Sequence, residues 1–115
     1  MSTIKHRAEK TLNFVTIFRV LRVINVNILE ATVKLTNKVG LHARPAALFV
    51  ETAKRFKSNI RVEKDGKDVD AKSILGILSL GAEYGSAITI RVNGEDADEA
   101  LKALVKLVNE KFGEE

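Results

Sequence analysis

Apolar and polar residues alternate along four short segments of this chain, at residues 31–36, 59–63, 67–70 and 86–92. Such alternation is typical of a strand that buries one face and leaves the other in water. Between the second and third segments, Asp65 and Gly66 form a tight-turn signal, which predicts a β-hairpin. The pattern therefore predicts four half-buried strands.

Three segments with helical character lie between or after these strands. The first opens with Pro45, a residue that is favoured in a first helical turn. The second lies between Ser73, a preferred N-cap residue, and Gly81. The third lies between Asp96, interpreted as its cap, and Gly113. The order β-α-β-β-α-β-α predicts an α+β fold, an open-faced β-sandwich in which helices cover one face of a four-stranded antiparallel sheet.

Length, cysteine content and charge limit the classes of protein to which the chain can belong. Its 115 residues suit one domain with a hydrophobic core. It has no cysteine, so neither disulfides nor a zinc–thiolate site can stabilise it, which fits a reducing cytoplasm. Residues 1–29 account for the net charge of +4, whereas fourteen basic and fourteen acidic residues cancel over residues 30–115. The charge therefore gives no reason to expect nucleic-acid binding by the domain itself.

The N-terminal extension, residues 1–29, is harder to interpret. Residues 1–10 are polar and predict a disordered lead-in, whereas residues 11–29 are apolar and β-branched. Arg19 and Arg22 interrupt the apolar run, which argues against a signal peptide and against membrane insertion. Three interpretations stay open: an added helix or strand that packs on the domain, a segment that pairs chains, or a translated stretch upstream of the usual start. We expect a non-essential extension followed by a domain at residues 30–115.

His42 stands where the first predicted strand gives way to the first predicted helix. Unpaired backbone N–H groups and the positive end of the helix dipole should lie beside its imidazole. An anion on that imidazole would find donors in place, and Arg44 adds a positive charge suited to phosphoryl oxygens. A lone histidine beside a helix is more often a surface or capping residue, so these features alone favour phosphate chemistry only modestly.

Two motifs resemble those of one family. Residues 40–46, GLHARPA, resemble the phosphorylation-site motif of HPr, the histidine-containing phosphocarrier of the bacterial sugar phosphotransferase system, and residues 72–81, KSILGILSLG, resemble its regulatory-serine helix. The likeness runs from Glu30 to the C-terminus. It implies a cytoplasmic carrier without a cofactor, not an enzyme. Such a carrier accepts a phosphoryl group on Nδ1 of His42 from phosphoenolpyruvate-charged Enzyme I and passes it to Enzyme IIA domains of sugar permeases. Arg44 and nearby N–H groups would hold the phosphate. Val39 replaces a small polar residue that can help order this loop in many relatives, which puts a third contact to the phosphate in doubt.

The second predicted helix is apolar all round, with five apolar residues between its cap and its closing glycine. Two turns of helix on a sheet can bury about half their circumference, so some of these side chains should stay exposed. The alternative is that all five belong to the core. We expect a docking surface for partner proteins, composed of Ala47, Leu48, Ile74, Leu75 and Leu78.

Ser73 needs no role beyond capping its helix. The resemblance adds regulatory phosphorylation of Ser73 by HPr kinase/phosphorylase, and a corepressor role with a LacI-type catabolite regulator. A phosphate there would suit the helix dipole and place about two negative charges beside the docking surface.

Alternative functions leave different signatures. A purely regulatory HPr paralogue would act through Ser73 in catabolite repression, but known paralogues of that kind lack the active histidine. A carrier of a nitrogen-type branch usually has a degenerate serine segment, and here that segment is intact. A nucleic-acid-binding domain would depend on the basic extension, so deleting residues 1–29 would abolish its binding. His6 and His42 lack metal-ligand spacing, so no metal site is expected.

Overall fold

The computed structural model describes the backbone of residues 17–23 and 26–114, and the side chains of residues 28–114. The predicted disordered lead-in at residues 1–10 lies outside the described residues. Five strands and three α-helices follow in order, with one 3₁₀ turn at the end: β1 (Ile17–Val23), β2 (Val26–Lys34), α1 (Ala43–Lys54), β3 (Asn59–Lys64), β4 (Lys67–Asp70), α2 (Ile74–Ser79), β5 (Ala87–Asn93), α3 (Ala97–Asn109) and the 3₁₀ turn Lys111–Gly113. From β2 onwards the predicted order β-α-β-β-α-β-α is confirmed.

The strands form one sheet in the order β1-β2-β5-β3-β4, and every neighbouring pair is antiparallel. The four predicted strands are therefore present side by side, and β1 adds a fifth at the outer edge of β2. An added strand was one of the three interpretations that the apolar segment at residues 11–29 left open. Without β1, the outer edge of β2 would leave N–H and C=O groups unpaired, and the β-branched segment that lies alongside pairs with them. The predicted boundary at residue 30 falls inside β2, which already begins at Val26.

One face of the sheet packs against the helices, and the other carries charged residues. In β5, Ile88, Ile90 and Val92 are buried and the residues between them are more exposed, as the alternation predicts. Phe49 of α1 and Leu104 of α3 are fully buried in the same core. This one-sided burial confirms the open-faced architecture.

On the charged face, Arg91 joins neighbouring strands through its guanidinium. Its Nε lies 3.2 Å from Glu30 and its Nη2 lies 3.4 Å from Glu63. The hydrogen bond to Glu30 is the main reason why the pKa of Arg91 is raised. The face away from the helices therefore carries a network of ion pairs across β2, β5 and β3.

Asp96 connects the start of α3 to the segment that follows α1. It occupies the N-cap position of α3, as predicted, but its side chain makes no capping hydrogen bond there. Its carboxylate instead accepts hydrogen bonds from the backbone N–H of Lys57 at 2.8 Å, and from the backbone N–H and hydroxyl of Ser58. The Ser58 hydroxyl, followed by the Lys57 N–H, stabilises the ionised carboxylate and lowers the pKa of Asp96.

Candidate functional site

His42 is the N-cap residue of α1, as the sequence predicts. Its backbone is extended, with φ −80° and ψ −172°, and its carbonyl oxygen accepts the N–H of Ala46 at 2.8 Å. The imidazole makes no capping hydrogen bond to its own helix, so the ring is available for other contacts. In the first turn, the N–H groups of Ala43 and Arg44 have no acceptor within the helix, and Pro45 has no N–H to offer. The helix therefore presents unpaired donors beside an exposed imidazole.

The loop before His42 is held by Asn37 and Gly40. Asn37 is fully buried, and its Nδ2 donates to the carbonyl oxygen of Gly40 at 2.9 Å. The same Nδ2 lies 3.4 Å from Oε1 of Glu114, which connects the loop to the end of the described chain. Val39, at which sequence reasoning left a third contact to the phosphate in doubt, is exposed. Asn37, which sequence reasoning did not single out, orders the loop from within.

The loop that follows α2 lies directly against this turn. The backbone N–H of Leu41 donates to the carbonyl oxygen of Ala82 at 2.9 Å. Gly40 has a φ of +63°, and a Cβ there would lie only 2.6 Å from Cα of Glu83. Two loops that are distant in the sequence are therefore joined immediately before His42.

Glu83 is a charged partner of His42. Its Oε1 lies 3.2 Å from Nε2 of the imidazole, and 57% of the His42 side chain and 64% of the Glu83 side chain are exposed. The backbone of Glu83 is fixed by Ser86, whose hydroxyl accepts the Glu83 N–H at 2.9 Å. Sequence reasoning missed Glu83, because it lies in an irregular loop with no motif or periodicity to mark it.

Arg44 lies two residues after His42, in the first turn of α1, and is exposed. Within residues 28–114 it forms no ion pair, so its guanidinium is available to an anion beside the helix N-terminus. The side chain has the length to reach a group on His42.

Ser73 is the N-cap of α2, as predicted. Its backbone is extended, and its Oγ accepts the N–H of Gly76 at 3.0 Å. A Cβ on Gly76 would lie 3.3 Å from Oγ of Ser73 and 3.3 Å from Cβ of Val69. A glycine at this position therefore lets the short helix lie close to β4. The Ser73 side chain is half-buried and not enclosed.

The apolar residues of α2 and its end divide into two sets. Ile77 and Leu80 are buried, whereas Ile74, Leu75 and Leu78 are exposed, with Leu75 the most open at 77%. We call these three residues the α2 patch. The alternative that all five apolar residues belong to the core is wrong, since a helix this short cannot turn every side towards the sheet.

Two further residues were predicted for docking, and two exposed apolar or aromatic residues were not. Ala47 and Leu48 of α1 are partly buried, and Leu48 packs against the core. Sequence reasoning missed Tyr84, which is 67% exposed and follows Glu83, and it did not treat Val39 as apolar contact surface. Neither residue belongs to a periodic element, so no pattern indicated its exposure.

Two kinds of feature are absent from the described part of the chain. Over residues 28–114, no group of three or more histidine, cysteine, aspartate or glutamate side chains is placed to hold a metal ion. None of the three α-helices in that part has the length and apolar character needed to cross a bilayer.

Comparisons with known proteins point to one family. The sequence model described as the PTS HPr component phosphorylation site matches residues 29–110. The HPr-like protein Crh of Halalkalibacterium halodurans is 52% identical over 79 residues, which cover 69% of this chain and 94% of that protein. The phosphocarrier protein HPr of Xylella fastidiosa is 42% identical over 87 residues, which cover 76% of this chain and 98% of that protein.

The same likeness holds in three dimensions. A crystal structure of HPr from Thermoanaerobacter tengcongensis superposes with a TM-score of 0.74 at 58% identity, over 75% of this chain and 97% of that one. The relatives include proteins named HPr and proteins named Crh. The chain therefore belongs to the HPr family of phosphocarrier proteins.

Proposed function

We propose that this protein carries a phosphoryl group on His42, which it accepts from phosphoenolpyruvate-charged Enzyme I and passes to Enzyme IIA domains in cytoplasmic steps of sugar uptake. The observation that carries the proposal is an exposed imidazole at the N-cap of α1, beside backbone donors and Arg44. A nitrogen lone pair of His42 forms a bond to phosphorus as the bond between phosphorus and the donor breaks. The electron pair of that broken bond stays with the donor.

The phosphorylated ring would be stabilised by its surroundings without being enclosed. The N–H groups of Ala43 and Arg44 and the guanidinium of Arg44 suit phosphoryl oxygens. Because His42 is more than half exposed, the phosphate stays accessible to a second protein. This balance is what a carrier needs, since it must release the group as readily as it accepts it.

The α2 patch supports docking by those partners. Ile74, Leu75 and Leu78 expose apolar side chains on the helix that Ser73 caps, and α2 packs beside α1. Ala47 and Leu48 would extend this surface on α1, with a smaller share from Leu48 because part of it is buried in the core. One surface would serve donor and acceptor proteins in turn.

Ser73 would be the regulatory position. A kinase/phosphorylase of the HPr type would add phosphate to its Oγ, where the N-terminus of α2 tolerates negative charge. The added charge beside the α2 patch would weaken docking by acidic partners, and would create a surface for a LacI-type catabolite regulator.

A purely regulatory function is the second candidate. It is favoured by the relatives named Crh, which are among the most similar in sequence. A protein of that kind would act through Ser73 and carry no phosphoryl group on His42.

Intact-mass analysis after incubation with phosphoenolpyruvate and Enzyme I distinguishes the two functions. We expect one acid-labile phosphate on the wild type and none on His42→Ala. A folded wild type that gains no phosphate would contradict the carrier function. The regulatory function would then be supported if ATP and the serine kinase add an acid-stable phosphate to the wild type and none to Ser73→Ala.

A further inference from the structure

The contact between Glu83 and His42 favours one of the two neutral tautomers of the imidazole. An ionised carboxylate can only accept hydrogen bonds, so the 3.2 Å contact between Oε1 of Glu83 and Nε2 of His42 requires a proton on Nε2. In a neutral imidazole the other nitrogen, Nδ1, then holds the free lone pair. With a proton on Nε2, Nδ1 is the nitrogen whose lone pair can attack phosphorus.

The backbone on both sides keeps this pair together. The backbone N–H of Leu41 donates to the carbonyl oxygen of Ala82 at 2.9 Å, so a hydrogen bond joins the residues that directly precede His42 and Glu83. Gly40 lies against the backbone of Glu83 so closely that a Cβ would collide with it. Glu83 also closes a turn with Ser86 through two hydrogen bonds of 2.9 Å. The two side chains are thus brought into reach by fixed backbone, although both remain exposed.

We propose that Glu83 is a positioning residue that keeps a proton on Nε2 of His42 throughout phosphoryl transfer; this inference rests on the proposed phosphocarrier function. In the first step the Nδ1 lone pair forms the bond to phosphorus, and the donor keeps the electron pair of the bond that breaks. The ring then carries phosphorus on Nδ1, a proton on Nε2 and a positive charge, which the carboxylate of Glu83 balances.

The return step uses the same proton. When the bond between Nδ1 and phosphorus breaks, its electron pair returns to Nδ1, and the ring leaves as a neutral imidazole that still carries its proton on Nε2. Without that proton the leaving group would be an imidazolate anion, a much poorer one. No proton therefore has to enter or leave the ring in either direction, and Glu83 acts through His42 without touching phosphorus.

If Glu83 had only a structural role, replacing it would lower the stability of the protein. Both side chains are largely exposed, and exposed ion pairs contribute little to stability. Replacing Glu83 should therefore leave the unfolding midpoint unchanged, so that any change in the imidazole or in transfer rate reports on positioning. Glu99, an exposed glutamate in the first turn of α3, provides a control with the same change in charge.

The first measurement is the tautomer population of His42 by ¹⁵N NMR of the imidazole in the free protein, at a pH where the ring is neutral. In Glu83→Ala and Glu83→Gln we expect the share of the Nδ1–H tautomer to rise by roughly twofold to fivefold, the range that an exposed charge contact allows. We expect Glu99→Gln to match the wild type. An unchanged tautomer share in both Glu83 variants would overturn the inference.

The second measurement is the rate of phosphoryl transfer from Enzyme I to the same proteins. We expect both Glu83 variants to accept phosphate more slowly than the wild type, with Glu99→Gln unaffected. If the wild type accepts phosphate and the Glu83 variants accept it at the same rate, only the role proposed for Glu83 is overturned. A wild type that accepts no phosphate would instead overturn the carrier function and this inference with it.

Discussion

Gly40 lies so close to Ala82 that a Cβ on Gly40 would stand 2.5 Å from the carbonyl oxygen of Ala82. The close approach joins the loop before His42 to the loop after α2, and it depends on a residue without a side chain. Gly40 also has a φ of +63°, a conformation that other residues adopt with strain. The close contact with Ala82 and the positive φ therefore both favour glycine at position 40.

Gly40→Ala should lower the free energy of unfolding by about 1–3 kcal/mol and slow phosphoryl transfer, because the clash must separate the two loops that hold His42 and Glu83. Urea unfolding and transfer from Enzyme I measure the two effects. Gly81→Ala is the matched control, since Gly81 has a φ of +61° but a Cβ there would meet no atom within 4 Å beyond its chain neighbours. Equal losses in the two variants would show that strain, and not the contact with Ala82, limits position 40.

Arg44→Ala should reduce the rate of phosphoryl transfer by about 10- to 100-fold without changing stability. Hydrogen bonds to charged groups contribute about 1.5–3 kcal/mol, and the side chain is exposed before phosphate arrives. Transfer kinetics and thermal unfolding test both statements. Arg55→Ala, at the other end of α1, should leave the rate unchanged, and an equal loss there would argue for an overall charge effect.

Leu75→Asp should raise the KM of Enzyme I for this protein by about tenfold, because a carboxylate replaces a largely exposed apolar side chain in the proposed docking surface. This substitution should change the free energy of unfolding by no more than about 0.5 kcal/mol. Ile77→Ala is the opposite case, with an expected loss of stability of about 2–5 kcal/mol from a fully buried position. If Leu75→Asp leaves the KM unaltered, docking does not use the α2 patch.

The hydrogen bonds to Asp96 should make stability depend on pH. The pKa of its carboxyl is lowered from an ordinary value of 3.8, so the unfolded chain binds this proton more readily than the folded one. The stabilisation is therefore complete well above pH 3.8 and is lost as the pH falls through the folded pKa. In urea unfolding, Asp96→Asn should be less stable than the wild type at neutral pH, and the difference should shrink under acid. A difference independent of pH would contradict a role for the carboxylate charge.

Deleting residues 1–25 should leave phosphoryl transfer intact. β2 begins at Val26, and the helices, the α2 patch and the loops around His42 all lie after it. The deletion uncovers the edge of β2 that pairs with β1, so we expect a modest loss of stability. Circular dichroism and labelling by Enzyme I provide the measurements. A shortened protein that does not fold would assign β1 an essential part in the sheet.

Local patterns in the sequence predicted most of the fold because they reflect local physics. Alternating residues such as Ile88 and Ile90 in β5 must bury one face of a strand, and the buried positions are the predicted ones. A proline in the first helical turn and a serine cap placed His42 before α1 and Ser73 before α2. The exposure of part of α2 followed from its short length and from the apolar residues on all its sides.

The details of the site depend on contacts between residues that are far apart in the chain. Glu83 is 41 positions from His42, and Glu114 is 77 positions from Asn37, so no local pattern could indicate either contact. The same holds for Asp96, whose local position predicted a helix cap but whose carboxylate bonds to Lys57 and Ser58 across the fold.

By itself, the sequence determined which segments become strands and helices, which face of each is buried, and where His42 and Ser73 stand relative to their helices. Only the tertiary structure decided that β1 joins the sheet, that Gly40 touches Ala82, and that Glu83 meets the imidazole. The physical reason is that hydrophobic periodicity and capping act within a few residues, whereas the contacts of Gly40 and Glu83 arise when packing of the core brings separate loops together. β1 joins the sheet by pairing with the exposed edge of β2, which its own periodicity does not specify.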